Sequence, residues 1–135
     1  MDRTQRNNLC DELLHEFGIR HLRDNEAISL SGGERRRLEI ARCLALRPQV
    51  LLLDEPFAAL DPLTVSELQE RIQALAGQGL AVLITDHNVR ETLQICGRAY
   101  ILEAGRLLAA GTRDEVVHDP RVQEAYLGKR FSLSA

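Results

Sequence analysis

The chain has 135 residues, 27% of them charged and 44% hydrophobic, and its 20 acidic and 17 basic residues leave a formal net charge of −3. These values exclude a disordered polyelectrolyte and a basic chain whose main role is to coat nucleic acid. The length suits one domain or part of a larger one. No apolar run approaches the roughly 20 residues that cross a bilayer, so we expect any link to a membrane to be made through a partner.

Lysine and cysteine are both scarce. Lys129 is the only lysine, so every other basic residue is an arginine. The cysteines, Cys10, Cys43 and Cys96, lie far apart and show neither a C-x-x-C motif nor a Cys/His metal spacing. We therefore expect them to be small buried side chains in a reducing compartment.

The first half of the chain alternates between helix and strand signals. Apolar residues at helical spacing predict an amphipathic helix over residues 4–17, closed by Gly18. A second helix opens at residues 31–34, Ser-Gly-Gly-Glu, and must end before Pro48. The run Val50 to Leu53 shows no alternation of apolar and polar residues, which predicts a strand covered on both faces, as in a parallel sheet.

A strand-helix-strand unit follows. Asp61 and Pro62 have the order of an N-cap and a first-turn proline, and apolar residues at helical spacing run from there to a C-cap at Gly77. A second apolar run, from Leu80 to Thr85, completes the unit. Its crossover is long enough to pair the two strands in parallel with the usual right-handed connection.

The last third predicts smaller elements. Residues 89–96 suit a short helix, residues 100–102 and 106–108 suit two strands joined by a tight turn, the T-x-x-E pattern at 112–115 is a capping box, and another short helix lies near 122–127. Together these signals predict an α/β fold with parallel strands and flanking helices.

Polar side chains follow both predicted buried strands. Asp54 and Glu55 stand where the first strand ends, and His87 stands just beyond the end of the second. If the strands are parallel neighbours, the three side chains emerge at the carboxyl edge of the sheet, where open α/β sheets bind ligands. Asp54 could then hold Mg²⁺ directly or through water, Glu55 could polarise an attacking water, and His87 could donate to a γ-phosphate oxygen. The alternative is that the carboxylates begin a solvated turn and that His87 caps the next helix.

The turn before the second helix has two interpretations as well. Ser31 and Glu34 form an ordinary capping-box pattern that needs no ligand. Capping does not account for Gly32 and Gly33, because glycine in a helix interior costs about 1 kcal/mol relative to alanine. Two glycines fit a backbone that approaches something closely, and the N–H groups, the hydroxyl and the helix dipole together favour a phosphate.

These segments, taken together, resemble the ATPases of ABC transporters. The sequence LSGGE at residues 30–34 resembles the family's signature motif, VLLLDE at 50–55 its Walker B strand, ALD at 59–61 its D-loop, and His87 in TDH its switch histidine. All four occur in the family's order and spacing, and the resemblance covers essentially the whole chain. Glu34 stands where the family usually has Gln. Within the family, residues 29–37 and 83–93 and the segment 126–128 are most similar to the ATPases of lipopolysaccharide export, and those of branched-chain amino acid uptake are near relatives.

The resemblance implies a partial P-loop NTPase core with a definite set of roles. Residues 1–30 would be the end of the helical subdomain, 31–111 the core with the four motifs, and 112–135 the C-terminal helices. Glu55 and His87 would be catalytic and Asp54 would bind Mg²⁺. The residues that would contact ATP are Ser31, Gly32, Gly33, Glu34 and Asp61. The implied partners are a second ATP-binding subunit and transmembrane transporter subunits, with no nucleic acid, at the cytoplasmic face of the inner membrane.

One part of the expected machinery is missing from the sequence. A P-loop has the pattern G-x-x-x-x-G-K-[ST]. Lys129 follows Gly128, but Gln123 stands where the first glycine is required and Arg130 where Ser or Thr is required. By the resemblance, the aromatic residue that stacks on adenine and the glutamine loop are also missing. We therefore expect the C-terminal part of a nucleotide-binding domain, which by itself neither binds ATP tightly nor hydrolyses it.

Two other functions stay open on the sequence alone. A chromosome-maintenance or DNA-repair ATPase shares the signature and Walker B chemistry, but such proteins carry long heptad coiled coils and no sustained heptad pattern is present. An interaction module that supplies a signature motif to a partner, without hydrolysis, is the non-enzymatic alternative. The run Arg35, Arg36 and Arg37 is expected to be a solvated helix face rather than a binding patch.

Overall fold

The computed structural model describes residues 1–127, which fall into two compact units divided after Thr85. The first unit contains helices and strands in the order α1 (Arg3–Glu16), α2 (Gly32–Leu44), β1 (Val50–Asp54), α3 (Pro62–Gly77) and β2 (Ala81–Thr85). The second contains α4 (Val89–Ile95), β3 (Arg98–Glu103), β4 (Arg106–Thr112), α5 (Arg113–Val117), α6 (Pro120–Val122) and a π-helical segment, Gln123–Leu127. Lys129 and Arg130 lie outside the described residues.

The helices of the first unit begin where the sequence predicts. Asp2 caps α1 in a capping box with Gln5, Ser31 caps α2, and Asp61 caps α3 with proline at the first helical position. The predicted helix over residues 4–17 and the helix that opens at Asp61 are thereby confirmed to within two residues. Helix α2 ends at Leu44, before the predicted stop at Pro48.

The two strands of this unit are parallel neighbours, as predicted. β1 pairs with β2 in a register that runs from Val50 opposite Ala81 to Asp54 opposite Thr85. Helix α3 makes the crossover between them and buries an apolar stripe composed of Val65, Leu68, Ile72 and Leu75. The register places the carboxyl ends of both strands side by side, which brings Asp54 and Thr85 together.

The expectation that β1 is covered on both faces is wrong. Leu51 and Leu53 are buried, whereas Val50 and Leu52 are 55% and 69% exposed, and Leu83 on β2 is 57% exposed. The residues of a strand alternate between the two faces of a sheet, and only one face of this sheet is covered in the described part of the chain. The apolar side chains on the other face, from residues 50, 52 and 83, form an exposed patch, which we call the open sheet face.

We expect the open sheet face to cause self-association, because exposed apolar patches and unpaired strand edges associate in water. Replacing Leu52 and Leu83 together with Thr should raise the monomer fraction in sedimentation velocity at a fixed concentration. The matched control is Leu63→Thr, which changes an equally exposed leucine on α3. An equal response of the control would show that the sheet face has no particular role.

The second unit is built around the antiparallel hairpin β3–β4. Its turn uses Ala104 and Gly105, both with positive φ, and the register shifts between Ile101 and Leu102. One face of the hairpin packs on the helices in a core composed of Leu93, Ile101, Ala109, Val116, Val117, Val122 and Leu127. The predicted hairpin and capping box are confirmed, and both strands extend beyond the predicted bounds.

The cysteines are less buried than expected. Cys10 and Cys43 are exposed, and Cys96 is half-buried. Cys10 and Cys43 lie on the solvent-facing sides of α1 and α2. The small number of cysteines in the sequence therefore did not predict their burial. Partial burial raises the pKa of the Cys96 thiol.

Within residues 1–127, no helix has both the length and the apolar character needed to cross a membrane.

Candidate functional site

The turn before α2 carries the first group of predicted site residues. Ser31 is the N-cap, and its backbone N–H and its hydroxyl each donate to Oε2 of Glu34 at 2.8 Å. The Glu34 N–H donates back to the Ser31 hydroxyl oxygen at 3.4 Å. The turn is therefore a complete capping box, and the backbone amides of Gly32 and Gly33 have no acceptor within the helix. Both the structural and the ligand-binding interpretation of the pattern are compatible with this geometry.

Glu34 makes this turn sensitive to acid. Hydrogen bonds from the Ser31 backbone and hydroxyl hold the pKa of Glu34 below its ordinary value of 4.5. A carboxylate with a lowered folded-state pKa stabilises the fold above its ordinary pKa, and that contribution is lost as the pH falls through the lowered value.

We therefore expect the free energy of unfolding to decline below about pH 4.5. In that range Glu34 binds more protons in the unfolded state than in the folded state, by at most about one. Removing the hydroxyl donor with Ser31→Ala should make the decline shallower in urea unfolding measured at several pH values. Ser66→Ala, an exposed serine on α3, is the control. Equal pH dependence in both variants would contradict the assignment.

The two glycines of the turn have different surroundings. A Cβ added at Gly33 would lie 2.6 Å from Cγ2 of Thr64, on α3, whereas a Cβ added at Gly32 would lie 3.8 Å from Cδ2 of Leu60, an ordinary contact. The close approach inferred from the sequence is therefore made, at Gly33, to the chain's own α3. Gly32 has no such packing requirement.

Asp61 lies at the end of the segment that approaches this turn. Its Oδ2 accepts from the Thr64 hydroxyl at 2.6 Å and its Oδ1 accepts from the Thr64 N–H at 3.0 Å. These bonds hold the pKa of Asp61 below its ordinary range. Thr64 thus contacts both Gly33 and Asp61, so the structure brings two motifs that lie 28 residues apart into contact.

Asp54 and Glu55 lie at the carboxyl end of β1. Oδ1 of Asp54 accepts from the Thr85 hydroxyl at 2.5 Å, and the Glu55 N–H donates to the Thr85 carbonyl at 2.7 Å. Glu55 has a φ of 45°, in the left-handed region that residues with a Cβ rarely adopt. The buried residues Pro56 and Phe57 follow and anchor the turn. Such conformations persist only where the surroundings hold them, and they cluster at functional sites.

The arginine run is only in part the solvated face that the sequence predicted, because Arg35 is exposed whereas Arg36 and Arg37 are half-buried. Arg35 donates to the Leu30 carbonyl at 3.4 Å, and Arg37 forms an ion pair with Glu67 of α3 at 3.3 Å. Arg36 contacts Glu39 and also the turn at Glu55. All three side chains are therefore held by the chain itself. The pattern of three consecutive arginines carried no signal for these partners, because each of them depends on how α2 packs.

His87 belongs to the second unit, two residues beyond the end of β2. Its side chain is 75% exposed, and its Nδ1 lies 3.8 Å from Oδ1 of Asp86. The Asp86 carboxylate is almost fully buried and accepts from the Asn88 N–H at 2.8 Å. Asn88 in turn caps α4 through Glu91. The loop that carries His87 is therefore held by an aspartate turn and by the start of a helix.

The residues at the end of β1 suit Mg²⁺ bound together with a phosphate ligand. Mg²⁺ keeps several waters and takes one or two carboxylates plus phosphate oxygens. Asp54 is a carboxylate that could take this role, and its Oδ1 accepts a hydrogen bond from the Thr85 hydroxyl. Among residues 1–127 there is no cluster of three or more His, Cys, Asp or Glu side chains placed to hold a metal ion.

Family models match both ends of the chain. The model described as ABC transporter matches residues 2–58, and the model described as Branched-chain amino acid ATP-binding cassette transporter matches residues 106–132. The first match contains the LSGGE turn and β1 with its two carboxylates. The chain belongs to the ABC transporter ATP-binding family.

Curated relatives of this ABC ATP-binding chain are similar over nearly all of it. The lipopolysaccharide export system ATP-binding protein LptB of Haemophilus influenzae is 56% identical over 129 residues, which are 96% of this chain and 54% of that protein. The protein of the same name from Escherichia coli K12 is 55% identical over the same shares. The chain thus spans about half the length of the curated relatives it matches.

Solved structures agree on the fold. An ATP-binding cassette of an ABC transporter in its ADP conformation superposes with a TM-score of 0.76 at 30% identity, over 87% of this chain and 48% of that one. The protein cbiO1 from Clostridium perfringens, described as part of the ABC transporter complex cbiONQ, superposes with a TM-score of 0.79 at 30% identity, over 92% and 50%. The ABC ATP-binding chain therefore has the P-loop NTPase type of fold, in part.

Proposed function

We propose that this chain is the C-terminal portion of an ATP-binding subunit that hydrolyses ATP to drive lipopolysaccharide export. The observation that carries the proposal is the 56% identity to an export-system ATP-binding protein across 96% of the chain, including the turn of α2 and the end of β1. The geometry supports it, since the signature and D-loop segments meet through Thr64 and both Walker B carboxylates stand at a sheet edge.

The proposed chemistry assigns one task to each side chain. Glu55 accepts a proton from the water that attacks the γ-phosphorus, and the bond from that phosphorus to the bridging oxygen breaks, so that ADP leaves with the oxygen. His87 donates a hydrogen bond to a γ-phosphate oxygen. Asp54 would hold Mg²⁺, directly or through water, and the ion would neutralise part of the phosphate charge.

We propose that the first turn of α2 and the residues at the end of β1 act on two different ATP molecules. In the family two subunits pair head to tail, and each ATP lies between the P-loop of one and the signature motif of the other. We propose that Ser31 and the amides of Gly32 and Gly33 bind a nucleotide held by a partner subunit, and that Asp61 lies at the same interface. In the structure the Ser31 hydroxyl donates to Glu34, so it would have to turn away from that carboxylate to donate to a phosphate. The subunit would reach the cytoplasmic face of the membrane through transmembrane partners.

The test is a chimera in which this chain replaces the aligned segment of the Escherichia coli relative, so that the rest of the relative supplies the P-loop. We expect the chimera to hydrolyse ATP and the isolated chain to show neither turnover nor tight ATP binding. Export of lipopolysaccharide from vesicles that contain the relative's membrane partners tests the substrate. A chimera that folds and binds ATP but does not hydrolyse it would contradict the proposal and favour a non-hydrolysing interaction module.

A second candidate function has one specific observation in its favour. The Branched-chain amino acid ATP-binding cassette transporter model matches residues 106–132. That match covers β4 and the C-terminal segments, which are remote in sequence from the motifs. Failure of the chimera to export lipopolysaccharide, together with normal ATP turnover, would favour amino acid uptake.

A further inference from the structure

The backbone at Glu55 is held in an unusual conformation by three hydrogen bonds. With φ at 45°, the residue occupies the left-handed region that a side chain disfavours. Its N–H donates to the Thr85 carbonyl at 2.7 Å. Its carbonyl accepts from the Ala58 N–H at 3.2 Å and from Nη2 of Arg36 at 3.4 Å. Thr85 lies at the end of β2 and Ala58 lies in the same turn as Glu55, whereas Arg36 belongs to α2.

Arg36 is oriented to make that bond. Its Nη1 donates to Oε2 of Glu39 at 3.1 Å, on the next turn of α2. One guanidinium nitrogen thus donates to Glu39 on the same helix, and another donates to the turn that follows β1. Because the guanidinium is planar and rigid, it loses little side-chain entropy for each bond. Arg35 and Arg37 have other partners, Leu30 and Glu67, so Arg36 alone of the run contacts the Glu55 carbonyl.

We propose that Arg36 is a positioning residue for Glu55. Helix α2 begins at the Gly32 turn, and Arg36 lies little more than one helical turn further along it. A rotation or shift of α2 when its first turn meets a phosphate would therefore move the guanidinium and, with it, the Glu55 backbone. The inference rests on the proposed role of Glu55 as the base, and it adds a path by which the signature turn sets the direction of that carboxylate.

The first test uses the isolated chain and needs no ATP. Arg36→Ala should move the ¹³C′ resonance of Glu55 upfield and speed exchange of the Ala58 amide, because the carbonyl loses a donor. Arg42→Ala, an exposed arginine on the same helix, is the matched control. Glu39→Gln leaves Arg36 in place but removes its charged anchor, so a smaller shift in the same direction is expected. An unchanged Glu55 resonance in folded Arg36→Ala would overturn the proposal.

The second test uses the chimera described above. Arg36→Ala should lower kcat for ATP by about 10- to 100-fold, the scale of a catalytic group displaced by about 1 Å, and should leave KM for ATP within about twofold. Arg36→Lys, which keeps the charge and a donor, should restore part of the loss. Equal kcat values for the Arg36→Ala and Arg42→Ala variants would overturn the proposal. If the unsubstituted chimera is inactive, the proposed function fails, while the Glu55 resonance still decides the role of Arg36.

Discussion

Replacing Glu55 with Gln in the chimera is expected to lower kcat for ATP by at least about 100-fold, the lower end of the range for loss of a general base. Gln has nearly the same shape as Glu but cannot accept a proton from the attacking water. Because the backbone bonds to Thr85, Ala58 and Arg36 do not involve the carboxylate, they should persist in the variant. The measurement is steady-state turnover together with ATP binding, which should be retained.

The matched control for this substitution is Glu70→Gln. Glu70 is an exposed carboxylate on α3, in the same unit but away from the strand ends. Its loss should leave kcat unchanged. If the Glu55→Gln variant kept more than about a tenth of the turnover, another group would have to be the base and the role given to Glu55 would be wrong.

Replacing Gly33 with Ala is expected to destabilise the isolated chain by about 1–3 kcal/mol, the usual range for overpacking. The new Cβ would lie 2.6 Å from Cγ2 of Thr64, so the Thr64 side chain or one of the two helices must shift. Thr64 cannot rotate freely, since its hydroxyl donates to Asp61 and a β-branched side chain has few rotamers on a helix. Urea unfolding of the chain measures the effect.

The double variant Gly33→Ala with Thr64→Ser separates packing from other causes. Serine removes the Cγ2 atom that meets the new Cβ and keeps the hydroxyl that bonds to Asp61. We expect it to recover most of the lost stability. Gly32→Ala should leave the free energy of unfolding unchanged or raise it by less than about 1 kcal/mol, because alanine is the better helix former and its Cβ would make only an ordinary contact with Leu60. Equal destabilisation by the two alanine variants would show that helix geometry, and not the approach to α3, is responsible.

Local signals in the sequence were sufficient for most of the secondary structure. The capping boxes at Ser31 and Thr112, the N-cap at Asp61 and the parallel pairing of β1 with β2 were all predicted and are present. The caps depend on hydrogen bonds between residues three positions apart, and the strands depend on continuous apolar runs. Both patterns can be read directly from the sequence. The four motifs were found in the same way.

The surroundings of the motifs were not predictable from the order of residues. The apolar run of β1 predicts burial on both faces, yet the structure covers only one of them. Burial depends on which elements pack against a strand, and a strand's own residues do not specify its neighbours. For the same reason the run of arginines predicts a solvated face, although the side chain of Arg36 contacts the turn at Glu55.

By itself, the sequence determined which functional groups this protein carries. They are a capped glycine turn, two carboxylates at the end of an apolar run and a histidine after the next such run, and no P-loop pattern is present. Only the tertiary structure decided how these groups are used. It assigned Gly33 to the contact with Thr64, left Gly32 without one and connected Arg36 to Glu55. The physical reason is that these contacts join residues 19 to 31 positions apart, whose approach is set by the packing of α2 on α3 and on the end of β1.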